Sequence, residues 1–251
     1  MVRILGGSLE EGVTVAEPLG FRSSLRRVTA VRHGQSSANV VFARAVRSGD
    51  ASATVPEPCD AVVPLSPLGL SQARAAGQWL GRLSGVDRPT VVVCSPYVRA
   101  VQSWEVMAGA AGKLGVVPTD ALLDERLRDR EMGVLELLTP PALRARAPEE
   151  ADRRDRVGDW FYRPPGGESM ADVMLRVRDF LDEVSVNAPG EHLLVVAHDA
   201  VVLAVRQIMA GIGAPVPGLV PIPNASVSRW DSDGALMRMT EFGEIGHLAD
   251  L

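Results

Sequence analysis

A three-layer α/β sandwich, with a mainly parallel central sheet and helices on both faces, is the fold class this sequence predicts. Short β-branched runs alternate with helical periods along the chain, the pattern of strand–helix units that build parallel sheets. Two of those runs, residues 28–31 and 192–197, each deliver a histidine just past their ends, His33 and His198. Two helices open on Ser-Pro, at Ser66-Pro67 and Ser95-Pro96, with serine as N-cap and proline at the first helical position. The carboxyl ends of the strands are where open α/β sheets bind ligands.

Taken in order, residues 1–26 show no clear period beyond a short strand at 12–15. They read as an extension packed on the surface or partly disordered. The run 28–31 enters Arg32-His33-Gly34, where Gly34 permits a tight turn that a larger residue would block. Ser36 or Ser37 then caps a helix carrying Ala38, Val40, Val41, Phe42 and Ala45. Residues 46–64 are rich in Gly, Ser, Ala and Pro and read as a long loop. Ala73, Ala76, Gly77, Leu80 and Leu83 give the next helix its apolar stripe. A buried strand over 91–94 leads to the helix 97–110, with Arg99 in its first turn. Residues 116–117 suggest a further short strand. The charged segment 124–136 is irregular around Gly133, and one or two short helices fill 139–158. Together, 133–167 read as a cap insertion into a single domain. Ser169-Met170-Ala171-Asp172 is a capping box opening an amphipathic helix. A strand over 192–197, a helix over 201–210 and a hairpin of 226–230 with 235–242 complete the chain.

Composition narrows the chemistry. The 251 residues are 46% hydrophobic and 23% charged, ample for a core, and the net charge of −5 gives no footing for nucleic acid as a partner. Lys113 is the only lysine, so Schiff-base chemistry has almost nowhere to fall, whereas the many arginines suit phosphate and carboxylate. Cys59 and Cys94 lack a Cys-x-x-Cys partner, which argues against zinc and redox roles. No apolar run is long enough to span a bilayer and no signal peptide is evident, so a cytoplasmic protein without membrane contact is expected.

The candidate chemistry converges on Arg32, His33, Arg99 and His198. A neutral imidazole can attack phosphorus and hold the phosphoryl group covalently. Arginines at the same sheet edge can clamp its oxygens, where charge accumulates during transfer. A cation in the first turn of a helix opposes the helix dipole unless an anion sits there, which favours a ligand-facing Arg99. Spacing does not decide which histidine attacks.

Arg-His-Gly at a strand end, the second histidine after Val195-Val196-Ala197, and Ser95-Pro96-Tyr97-Val98-Arg99-Ala100 between them resemble the histidine phosphatase superfamily, which includes the cofactor-dependent phosphoglycerate mutases. The resemblance runs from about residue 28 to the C-terminal strands. It implies a phosphoglycerate mutase-like fold and hydrolysis of a small phosphorylated substrate without metal or organic cofactor. It makes His33 the nucleophile, gives Arg32, Arg99 and His198 to the phosphate, and matches Asn39 to a phosphate-contacting position. Asn39 reads equally well as a polar residue of a short helix.

Relatives carry a glutamate four residues before a glycine as proton donor. Here the matching segment is Leu127-Arg128-Asp129-Arg130-Glu131-Met132-Gly133, so the matched acid is Asp129, one methylene shorter, with Glu125 and Glu131 as fallbacks. Asp199 stands where relatives usually have glycine, either shaping specificity or pointing away. Arg163, in the aromatic run 160–165, reads either as part of a substrate-touching lid or as part of a plug fixing the insertion. The leading expectation is a phosphatase; a mutase-type phosphotransferase and a non-catalytic phospho-ligand binder are the alternatives. The oligomeric state stays open, with a homodimer as one option.

Overall fold

The computed structural model describes residues 19–251 apart from Pro118 and Pro217. The strand expected at 12–15 lies outside the described residues. Six strands form one sheet: β1 (Arg27–Arg32), β2 (Val91–Cys94), β3 (Ala121–Leu123), β4 (His192–Ala197), β5 (Val227–Ser232) and β6 (Met237–Glu244), in spatial order β3-β2-β4-β1-β5-β6. The first four are parallel to one another; β5 runs antiparallel to β1, and β6 pairs antiparallel with β5 at the edge. Among the described residues seven α-helices accompany them: α1 (Ser37–Ser48), α2 (Pro67–Arg82), α3 (Val98–Gly112), α4 (Pro140–Arg146), α5 (Pro148–Val157), α6 (Met170–Asn187) and α7 (Asp199–Ala210).

The period-2 rule for strands divides the core. Val28, Ala30, Leu193 and Val195 face α6 and α7, whereas Val31, Val92, Leu194 and Val196 face α2 and α3. Helices therefore cover both faces of a sheet whose central strand β4 is buried along its whole length, which gives the three layers. Because β1, β2 and β4 run parallel and in register, their carboxyl ends come together at one edge. The register pairs Arg32 with Ala197 and Cys94 with Val196, so His33, Ser95 and His198 follow at that same edge.

Capping follows the sequence at α1, α2 and α6 but not at α3, which starts at Val98 with Tyr97 as N-cap, because the Ser95 hydroxyl is turned to His198 instead. Ser36 caps α1 in a box closed by the Asn39 side chain, Ser66 caps α2 ahead of Pro67, and Ser169 with Asp172 closes the box at α6. The turn after His33 is tight because another backbone presses on it. A Cβ on Gly34 would stand 2.4 Å from the carbonyl of Gly69, and one on Gly69 would stand 2.0 Å from that of Gln35. Gly133 is another obligate glycine, with φ +53° and the carbonyl of Pro165 where its Cβ would lie.

Several expectations shift. Residues 116–117 form no strand; the parallel partner of β2 is 121–123, on the far side of Pro118, a residue that cannot donate to a ladder. The helix after His198 begins at Asp199, two residues early, and the hairpin strands lie one to two residues later than expected. Residues 19–26 are more than a surface extension, since Phe21 and Leu25 are buried in the core with α6 and α7. The segment 133–167 holds two short helices, and Leu135, Leu143, Ala151 and Tyr162 form a small cluster of their own there.

Candidate active site

His33 is 2% exposed, at the end of β1. Its Nδ1 lies 2.6 Å from the Gly34 carbonyl oxygen, which can only accept, so Nδ1 carries the proton. The lone pair is then on Nε2, and Arg99 Nε donates to it at 3.2 Å. Burial, reinforced by Arg99, His198 and Arg32, holds the His33 pKa well below the ordinary histidine value. The ring is neutral near pH 7 with one nitrogen poised as a nucleophile.

Arg99 reaches this point because α3 starts immediately after β2. Its guanidinium is 3% exposed and fully engaged. Nη1 donates to the Asp60 carbonyl at 2.7 Å, and Nη2 donates at 2.8 Å to the carboxylates of both Asp60 and Asp129. Its backbone carbonyl accepts from Ser103 Oγ, which in turn accepts from the Gly34 amide, so the arginine and the histidine turn are tied through one hydroxyl.

His198 is fully buried, its ring centroid 5.1 Å from that of His33. Ser95 Oγ stands 2.8 Å from Nε2 and accepts from the Tyr97 amide; with the Asp129 carboxylate, which can only accept, facing Nδ1, the hydroxyl donates to Nε2. Nδ1 then carries the ring proton, 3.3 Å from Asp129 Oδ2 but out of line for a hydrogen bond. A buried N–H without a well-aligned acceptor suits an incoming phosphoryl oxygen. Burial lowers the His198 pKa against the opposing pull of Asp129.

Burial by itself pushes the Asp129 carboxyl up, but the pull of His198, Arg99 and His33 wins and holds it well below the usual carboxylate range. Since burial keeps both imidazoles on the neutral side, Arg99 is the lasting counter-charge. Asp60 goes the other way: burial raises it, Arg99 opposes, and Asp129 adds to the rise. The two aspartates share one Nη2 and titrate as a pair.

Arg32 lies beside His33. Its Nη1 donates to the Ile222 carbonyl and its Nη2 pairs with Asp199 at 3.2 Å. Both candidate phosphate arginines are thus held by aspartates. Asp199 lines the cavity with them, which settles that it does not point away.

These groups line one end of a cavity of about 520 Å³. Arg32, His33, Arg99 and Asp129 border it, as does Asn39; His198 is not in the lining and stands with its Nδ1 3.3 Å from Asp129 Oδ2. Asn39 spends its side-chain oxygen on the Ser36 amide and on Asn224 Nδ2. Glu125 is exposed and outside the cavity; Glu131 borders it, accepting from the Tyr97 hydroxyl at 3.3 Å. Arg163 lies outside, exposed and paired with Asp172. Of the aromatic run beside it, Trp160 and Tyr162 are buried and Phe161 is exposed. Trp160 packs into the core with α6 and Tyr162 into the small cluster of the cap.

Sequence reasoning missed Asp60, Ser95 and Asn224. Asp60 sits in a loop without periodicity, and only the fold carries it to Arg99. Ser95 was read as a helix cap alone, although its place at the end of β2 mirrors His33 and His198.

The fold and this cluster are those of an α/β protein with paired histidines and arginines gathered at one parallel sheet edge. The histidine phosphatase superfamily (branch 1) matches residues 28–244, and the chain belongs to that family. A bifunctional protein of Mycobacterium tuberculosis is 28% identical over 218 residues, 86% of this chain and 53% of that protein. The chain thus spans about half the length of the first curated relatives it matches. A probable phosphoglycerate mutase of Enterobacter is 31% identical, covering 74% of this chain and 83% of the relative. Among solved structures, a mycobacterial glucosyl-3-phosphoglycerate phosphatase in complex with vanadate superposes with a TM-score of 0.68 at 26% identity, covering 88% of this chain and all of that one.

Proposed function

We propose that the protein is a phosphomonoesterase working through a phosphohistidine on His33. The observation that carries the reading is the tautomer: Gly34 holds the Nδ1 proton, so Nε2 offers its lone pair beside Arg99. In the first step Nε2 forms a bond to phosphorus as the ester P–O bond breaks. The leaving oxygen takes a proton from Asp129, while Arg32, Arg99 and the His198 Nδ1–H stabilise the equatorial oxygens. In the second step water attacks phosphorus, its proton passes to Asp129, and the P–N bond breaks to release phosphate. A phosphoryl dianion beside Asp60 and Asp129 adds negative charge to a pair already sharing one guanidinium, which favours a proton on the pair when substrate is bound.

The mutase alternative has support in the similarity to probable mutases. A mutase acting on phosphoglycerate must hold a second anionic group. The other cations at the cavity are Arg130 and Arg154, and both are engaged. Arg130 donates to the carbonyls of Glu168, Asp159 and Tyr162, and Arg154 pairs with Asp159. Hydrolysis is the reading we favour.

The test is rapid-quench phosphorylation with a labelled aryl phosphate. An acid-labile phosphoryl group on His33 that turns over to inorganic phosphate is expected, with loss of label and turnover in His33→Ala and no effect of chelators. Label that persists without turnover would instead mark a phospho-ligand binder. Transfer of label to added phosphoglycerate would mark a mutase.

A further inference from the structure

Beyond the phosphoryl end, the cavity has a wall of another character. Phe42 of α1, Leu137, Leu138 and Leu143 of the cap, Leu203 of α7 and Leu219 of the loop before β5 line it. Apolar side chains from four separate parts of the chain therefore border the same cavity as His33. The polar side chains among them are largely spoken for. Asn39 is closed into its capping box and onto Asn224, the Tyr97 hydroxyl donates to Glu131, and Arg130 and Arg154 are bound to carbonyls and to Asp159. A sugar needs donors and acceptors for its hydroxyls, and a phosphoglycerate needs a cation for its carboxylate; apart from the Asn39 side-chain NH2, the polar groups bordering this part of the cavity, with Glu136 accepting from the Asp60 amide, are already paired with one another or with the backbone.

Leu137 adds an independent observation. Its φ is +58°, a left-handed conformation that branched residues rarely adopt and that Asn or Gly adopts readily. Such strain persists where the surroundings fix it, and here it sets a leucine against the cavity. The next residue, Leu138, is bridged to Thr54, which pins this stretch to the loop that also carries Asp60.

We infer that the site takes the monophosphate of an apolar alcohol, an alkyl or prenyl-like chain, with the phosphate at His33 and the chain along the leucine wall. This rests on the phosphatase reading and names its substrate class.

The experiment compares kcat/KM for ethyl, butyl, hexyl and octyl phosphate, with glycerol phosphate and 3-phosphoglycerate as polar controls. Burying each added methylene should raise kcat/KM about two- to fourfold, so octyl phosphate should exceed ethyl phosphate by about fiftyfold or more. Both polar controls should fall below butyl phosphate. Leu137→Asn keeps size and suits the backbone while making the wall polar, so it should cut the octyl-to-ethyl ratio at least about threefold with the fold retained. A flat alkyl series, or a preference for the polar controls, would overturn the inference while leaving the phosphatase reading standing. If no ester is hydrolysed, the phosphatase reading fails. Calorimetry with octyl and ethyl phosphonate then decides the pocket by itself: tighter octyl binding sustains it, and equal binding refutes it.

Discussion

At the scale of single residues, the site is an economy of few charges in a dry place. Two arginines, two neutral histidines and three aspartates lie within a few bonds' reach, and their protonation is set by one another. With Asp129 as the proposed acid, its removal should show a leaving-group signature. An alkoxide needs a proton to depart and a nitrophenolate hardly does, so Asp129→Asn should slow an alkyl phosphate roughly a hundredfold or more and nitrophenyl phosphate much less. The same signature in Glu131→Gln, with none in Asp129→Asn, would move the acid to Glu131. Asp60 supplies a second test. Its carboxylate shares Arg99 Nη2 with Asp129, so removing its negative charge makes the remaining acid lose its proton more easily. In Asp60→Asn the alkaline limb of the pH–rate profile for an alkyl phosphate should therefore shift to lower pH. A profile that keeps its shape would show that the two carboxylates do not communicate.

At the scale of elements, two contacts hold the site in place. The turn after His33 and the first turn of α2 touch backbone to backbone at Gly34 and Gly69. A methyl group at position 69 cannot fit against the Gln35 carbonyl without moving the turn. Gly69→Ala should cost about 1–3 kcal/mol in denaturant unfolding and lower phosphatase activity beyond that loss, because His33 moves with the turn. An unchanged midpoint and unchanged rate would show that the crossing yields freely. At α6, Ser169 accepts from the Asp172 amide in a reciprocal box, and Ser169→Ala should cost about 1 kcal/mol by the same measurement.

At the scale of the whole molecule, acid should be the condition that undoes the fold. His192, at the start of β4, is buried with its Nε2 2.9 Å from Thr29 Oγ1, and burial with nearby Arg27 lowers its pKa to about 4. A histidine lowered in the native state binds fewer protons there than in the unfolded chain. Its contribution is present above the unfolded pKa of about 6.5 and is lost as pH falls through 6.5 toward 4. Between pH 7 and pH 5 that amounts to about 2 kcal/mol, with His33 and His198 adding in the same direction. Melting temperature should drop over this interval and drop less in His192→Gln. Equal slopes would place the acid sensitivity elsewhere.

Much of this was legible in the chain. The fold class followed from alternating periods because a parallel sheet covered on both faces demands buried strands and one-sided helices. Arg32, His33, Arg99 and His198 were legible because each stands immediately after a strand or in the helix that follows one, where covalent connection alone fixes position. The caps at Ser36, Ser66 and Ser169 are local hydrogen bonds and needed no tertiary information. The tertiary structure decided the rest. Asp60 meets Arg99 from a loop whose path no local rule sets. Asn39 borders the cavity with its oxygen given to Ser36 and Asn224, and Arg163 pairs with Asp172 outside it, placements that no local rule sets. Asp129 stands apart from Glu125 and Glu131 through the irregular turns between α3 and α4, which carry no period to read. The apolar wall gathers residues from positions 42 to 219, a sum over distant segments, and only packing brings such segments to one place.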